Sequence, residues 1–240
     1  MTVYIKNKKI GETPLECLER TRQEEGISKE TSMTFAGRLD PAASGEIIFL
    51  TNEDIKQKDN YLNTDKLYQV ELLFGISTDT GDLLGLIKDI NFDYGLDEDK
   101  LNDSLEKLTG QRIQKFHNFS SKVVDGKPLW QHAKEGSTLE VSHQINIYSI
   151  DLESIKKINI KDIYNQVQNI TNLVNGDFRQ KDILSSWQKE NLNNKEFNIA
   201  TVLVKASSGS YMRVLAEELG ILLNVPICAY GINRIKVFLK

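Results

Sequence analysis

The chain has two cysteines and three histidines in 240 residues, and no apolar run long enough to cross a bilayer. Each scarcity removes a class. Cys17 and Cys228 suggest neither a disulfide framework nor a thiolate metal site, and core packing is their expected role. His117, His132 and His143 show no metal-ligand spacing with one another, with cysteine or with carboxylates, so no metal is expected. Met1 to Ile10 alternates apolar and polar residues with lysines between them, unlike a signal peptide or a membrane span. A cytoplasmic protein without membrane contact is expected. Repeats, low-complexity tracts and long linkers are lacking too, which favours one domain over residues 1–240.

What is present is 40% hydrophobic and 27% charged residues, an ordinary globular balance. The net charge of −4 argues against indiscriminate binding to nucleic acid, which draws on an excess of Lys and Arg. That average conceals segregation. Acids gather at Asp93, Asp97, Glu98, Asp99, Asp103 and Glu106, and bases follow at Arg112, Lys115, Lys122, Lys127 and Lys134, so one acidic and one basic face are expected.

Local patterns predict an α+β chain with a mixed, mostly antiparallel sheet. Thr13-Pro14-Leu15-Glu16 reads as a capping box opening a helix to about Glu24, closed by Gly26. Strands are expected at Val3 to Ile5, Glu46 to Leu50, Leu67 to Phe74, Leu139 to Leu152, Ile199 to Lys205 and Ile232 to Leu239. Helical spacing runs through Leu96 to Leu108, Pro128 to Lys134 and Met212 to Leu222, with a long basic loop expected over Gln111 to Lys127. Residues 153–198 read as a helical insertion, with Ile163, Val167, Ile170 and Val174 on one face and Ile183, Leu184 and Trp187 on another.

The rarest string is Phe35-Ala36-Gly37-Arg38-Leu39-Asp40-Pro41-Ala42-Ala43-Ser44-Gly45. Pro41 fixes its own φ and pushes Asp40 out of the helical region, while Gly37 and Gly45 permit backbone conformations closed to other residues. A carboxylate held this way is aimed. Two further motifs can complete it. Lys66-Leu67-Tyr68 offers a ring with a hydroxyl at its tip, able to stack on a planar base. Ser208-Gly209-Ser210-Tyr211-Met212-Arg213 is a tight turn running into a helix, and an arginine there can bridge a carboxylate and a phosphate. Taken singly, each also reads as a turn, a core tyrosine or a surface arginine.

In this order the three motifs resemble the TruB-type tRNA pseudouridine synthases, and the likeness spans most of the chain. The resemblance implies the pseudouridine synthase fold and isomerisation of uridine to pseudouridine, at position 55 in the T loop of tRNA, without cofactor or metal. It implies that Asp40 is the catalytic aspartate acting at the ribose, that Tyr68 stacks on the target uracil, and that Arg213 pairs with Asp40. Tyr211 would shape the pocket, and Phe35, Arg38, Lys66, Lys122 and Lys127 would contact RNA. Gly75 to Gly85 is similar to the segment after the tyrosine strand, and residues 111–136 to the loop and helix that close over RNA. A monomer needing no protein partner is expected.

Several positions depart from the family pattern. Phe35 replaces a usual histidine, Arg38 a small residue, Gln114 and Lys115 a pair of prolines, and the turn at Ser208 lacks its lysine. The family's appended C-terminal RNA-binding domain is expected to be missing, with Arg179, Lys181 and Trp187 of the insertion as candidate substitutes. A catalytically silent RNA-binding or tRNA-folding protein on the same fold is the alternative. A glycosidase would need a second carboxylate beside Asp40, and the sequence places none there.

Overall fold

Thr13 caps the first helix as its sequence requires. Its hydroxyl accepts from the Glu16 amide at 3.2 Å, and the Glu16 carboxylate accepts from the Thr13 amide at 2.7 Å. The structure is a computed structural model that describes residues 3–189 and 195–239. The elements begin with β1 (Val3–Lys8), α1 (Pro14–Glu24), β2 (Met33–Ala36) and β3 (Ala43–Thr51). A 3-10 turn and the short α2 (Lys58–Leu62) lead to β4 (Lys66–Phe74), and β5 (Ile76–Thr78) and β6 (Ile87–Ile90) form a small hairpin. Next come α3 (Glu98–Lys107), β7 (Gly110–Lys115), the two-residue strands β8 (Val123–Val124) and β9 (Lys127–Pro128), and α4 (Leu129–Lys134). The chain continues through β10 (Ser142–Asn159), α5 (Ile160–Leu173), α6 (Gln180–Lys189), β11 (Glu196–Ala206), α7 (Met212–Leu223) and β12 (Ile227–Val237).

The main sheet runs β1-β3-β12-β4-β11-β10-β7, with β2 added on β3. Only β3 and β12 are parallel, so the sheet is mixed and mostly antiparallel as expected. Alternation on the strands divides the core. Tyr68, Val70 and Leu72 of β4 share one face with Val202 and Val204 of β11, where α3 and α7 cover them through Leu101, Leu105, Leu215 and Leu219. Leu73 and Ile199 point the other way, into a cluster with Ile163, Val167 and Ile170 of α5 and Ile183 and Trp187 of α6. Cys17 and Cys228 are both buried packing residues.

Three sequence expectations need correction. Gln111 to Lys127 is not a continuous loop, because residues from Gly110 to Lys115 form an edge strand whose pairing with β10 overrides a polar sequence. Irregular backbone is confined to residues 116–122 before the β8–β9 hairpin. The segment 153–198 is not helical throughout: β10 runs on to Asn159 and β11 begins at Glu196, leaving α5 and α6 between them, with residues 190–194 outside the described set. The bases expected to form one face mostly sit beside acids, Lys122 excepted, so the basic face is largely neutralised. Lys115 pairs with Glu140 at 2.7 Å, Lys127 with Glu135 at 2.9 Å, Lys134 with Asp177 at 3.2 Å and Arg112 with Glu218 at 3.1 Å. No described helix is long and apolar enough to cross a membrane.

Candidate active site

The turn bearing Asp40 leaves β2 through Gly37, whose φ of +83° suits glycine, and returns through an Ala43 amide to Asp40 carbonyl bond of 2.9 Å. Gly45 is more tightly constrained. Its φ is +115°, and a Cβ there would lie 2.2 Å from the Arg234 carbonyl oxygen, because β12 runs parallel against β3 at this point. Arg234 is only 2% exposed and braces the turn from behind. Its Nε donates to Glu46 O at 2.6 Å and its Nη1 to Arg38 O at 3.1 Å, whereas Nη2 has no partner among the described residues. No motif in the sequence marked Arg234, since its role depends on pairing across most of the chain.

Arg213, the second residue of α7, reaches Asp40: its Nε is 2.8 Å from Oδ2. The Nε–H is not aimed along that contact, which makes it an ion pair more than a directed hydrogen bond. The guanidinium is 3% exposed, and carbonyl and ring acceptors hold its other end: Nη1 donates to Thr80 O at 2.7 Å and lies 3.3 Å from His117 Nδ1, and Nη2 donates to Phe119 O at 3.2 Å. Burial works against the charge, but Asp40 and Asp82 more than offset it and keep the group above its ordinary pKa.

Asp82 corrects the expectation that no second carboxylate stands beside Asp40. Its Oδ2 is 3.7 Å from the same Arg213 Nε, while its Oδ1 accepts from Thr80 Oγ1 at 2.7 Å and the Leu84 amide at 3.0 Å. Burial raises its pKa against the pull of Arg213, and Asp40 raises it further. The sequence carried Asp82 only inside the Gly75 to Gly85 resemblance, with no sign of its partner.

Asp40 opens on a cavity of about 310 Å³ lined by Lys66, Tyr68, Ser210, Tyr211, Arg213 and Arg234. Tyr68 presents its ring from β4, which agrees with the strand face expected for it. Tyr211 is held by Gln114, one of the two residues standing where prolines were expected. Its amide donates to Gln114 Oε1 at 2.8 Å and its carbonyl accepts from Gln114 Nε2 at 3.2 Å. Burial and then Asp40 raise the Tyr211 pKa, so the phenol keeps its proton. Lys66 lines the cavity, yet its ammonium donates to Leu62 O and Thr64 O at 2.8 and 2.5 Å, and burial with Arg234 lowers its pKa to about 8.

The remaining sequence candidates divide. Arg38 lies 5.8 Å over the Phe35 ring, and both line a second cavity of about 550 Å³ on the far side of Asp40 with Phe119, Trp130 and Arg179. Lys122 lines the first cavity and sits 5.2 Å over Phe116. Lys127 lines neither cavity. Of the insertion residues, Arg179 is paired with Asp79 at 2.7 Å and lies 4.8 Å over Phe119. Trp187 is buried and donates to Gly85 O, so it packs the core and offers no surface to RNA. Among the described residues no cluster of three or more His, Cys, Asp or Glu could hold a metal.

Residues 26–171 match the family described as TruB family pseudouridylate synthase (N terminal domain). The chain belongs to the TruB family. The TruB relatives are similar over different spans. A tRNA pseudouridine synthase B of Aquifex aeolicus is 26% identical over 232 residues, 96% of this chain and 66% of that protein. A tRNA pseudouridine synthase B of Caldicellulosiruptor saccharolyticus is 30% identical over 62% of this chain and 51% of its own length. The tRNA pseudouridine synthase 4 of Saccharomyces cerevisiae is 36% identical over 137 residues, 55% of this chain and 34% of the yeast protein. This TruB chain thus spans between a third and two thirds of the length of these curated relatives. The fold matches a solved Cbf5-Nop10-Gar1 complex with a TM-score of 0.60 at 14% identity, covering 98% of this chain and 48% of the other.

Proposed function

We propose that this TruB-family chain is a tRNA pseudouridine synthase that isomerises uridine to pseudouridine, with the T-loop uridine at position 55 as its target. The observation that carries the reading is the Asp40–Arg213 ion pair, which opens on a cavity shared with Tyr68 and Tyr211. The reaction breaks the N1–C1′ bond, turns the base, joins C5 to C1′ and returns the C5 proton to N1. It needs no redox step and no triphosphate. Asp40, ion-paired with Arg213, acts at the sugar, either attacking C1′ or removing the C2′ proton. Tyr68 stacks on the uracil and holds it as the glycosidic bond breaks, while Tyr211 closes the wall behind.

A uridine must leave its stack to enter this cavity, and an unpaired loop loses fewer stacking contacts than a duplex. Among the described residues Arg234 Nη2 and Ser210 Oγ have no hydrogen-bond partner, and both residues line the cavity, which suits a ligand rich in hydrogen-bonding groups. Arg38 and Phe35 form the rim where phosphate and an adjacent base would pass, and Lys122 stands at the first cavity. Lys66 would act on RNA mainly through the field it adds to Arg234. Lys127 would serve RNA only by leaving Glu135. One chain supplies every one of these side chains, which supports a monomer that needs no protein partner to build the site, and the reading places it in the cytoplasm with its tRNA substrate.

The test is pseudouridine formation in an unmodified tRNA transcript, mapped by mass spectrometry. Wild-type protein is expected to convert the T-loop uridine, and Asp40→Asn to lose about 10³-fold or more in rate while still binding tRNA. A wild-type protein that binds tRNA yet makes no pseudouridine would overturn the proposal in favour of a silent RNA-binding protein.

A further inference from the structure

Residues 116–122 join β7 to the β8–β9 hairpin, and His117 and Ser120 are the buried residues of that loop. Its ring lies between two residues of α7 that are one turn apart. Nδ1 accepts the Phe119 amide at 3.1 Å and is 3.3 Å from Arg213 Nη1, and Nε2 is 3.3 Å from Glu217 Oε1. Two donors converge on Nδ1, and a guanidinium nitrogen can only donate. Nδ1 must therefore offer its lone pair, which puts the ring proton on Nε2, directed at Glu217.

We infer that His117 is a positioning residue for Arg213, its Nδ1 lone pair fixing the plane of the guanidinium and its Nε2–H held by Glu217. The inference rests on the pseudouridine synthase reading of the site. Arg213 meets Asp40 through Nε alone, so the angle at which it presents that nitrogen is set at the far end by Thr80 O, Phe119 O and His117. His117 is the one side chain among those three acceptors. Together with Phe119 O it ties the guanidinium to the loop that carries Ser121 and Lys122 to the cavity, so the ring couples seating of the loop to orientation of the arginine. Glu217 plays for this imidazole the part a carboxylate plays wherever a histidine must keep one tautomer.

Two substitutions separate positioning from core filling. His117→Phe keeps the ring volume without an acceptor, and His117→Asn puts an amide oxygen near the position of Nδ1. His117→Phe is expected to lower kcat on tRNA by about 10- to 100-fold with KM within about twofold, since a misplaced guanidinium affects the chemical step more than RNA affinity. His117→Asn should recover most of that loss at similar thermal stability. Nitrogen-15 spectra of the wild type should show the proton on Nε2. Exchange of the Arg213 Nε proton should speed about tenfold or more in His117→Phe and little in His117→Asn, as expected when a locked group is released. Wild-type kcat in a folded His117→Phe protein, or a ring protonated on Nδ1, would overturn the inference. Absence of pseudouridine from the wild type would instead strike the reaction itself, and the exchange rates would still decide whether His117 holds Arg213.

Discussion

Asp82 and Arg213 show how a charge can be kept in a place where water cannot reach it. Asp82→Asn leaves an oxygen for Thr80 and Leu84 but removes one of the two negative charges beside the guanidinium. It is expected to lower kcat by about 10- to 100-fold, with a smaller effect on tRNA affinity, as read by single-turnover kinetics. Lys8 and Lys66 are buried ammonium groups that burial brings from the ordinary 10.5 down to about 8. Below pH 8 both folded and unfolded chains hold these protons, and the folded state bears the full cost of burying the charge. Between 8 and 10.5 the folded chain releases protons that the unfolded chain still binds, so stability rises with pH, by about 1.4 kcal/mol per unit for each lysine. Lys8→Met is expected to remove its share of that slope, measured by urea unfolding at pH 8, 9 and 10.

At the scale of elements, the parallel contact between β3 and β12 seats the Asp40 turn. Gly45→Ala would drive a methyl group into the Arg234 carbonyl at a φ that alanine rarely adopts. A loss of about 3 kcal/mol or more in unfolding free energy is expected, with pseudouridine formation falling even at temperatures where the protein stays folded. Such contacts also explain what could be read in advance. Helix α1 was legible to the residue because a capping box and a proline are local signals. Strand β7 was not, because Arg112, Gln114 and Lys115 follow no strand pattern and are held by β10. Asp40, Tyr68 and Arg213 stood out as members of motifs with a common family. Arg234, Gln114 and His117 carried no such mark, since each matters only through partners that folding brings from far along the chain.

At the scale of the whole molecule, a net charge of −4 means that affinity for RNA must come from a few cations that stay free of acids. Arg38→Ala is expected to reduce the slope of log K against log salt by about one, and Lys127→Ala to leave it unchanged because Glu135 already holds that ammonium. Filter binding at several salt concentrations checks both. Strand β12 has a consequence in time as well as in space. It lies between β3 and β4, so the sheet has a gap at its centre until residues 227–237 are in place. Asp40, Tyr68 and Arg213 all precede that strand in the chain, whereas Arg234, which braces the Asp40 turn and lines the cavity, lies within it. The strand late in chain order is thus the one that joins the two halves of the site, so assembly of the pocket waits on a long-range pairing and not on the local motifs that made it legible.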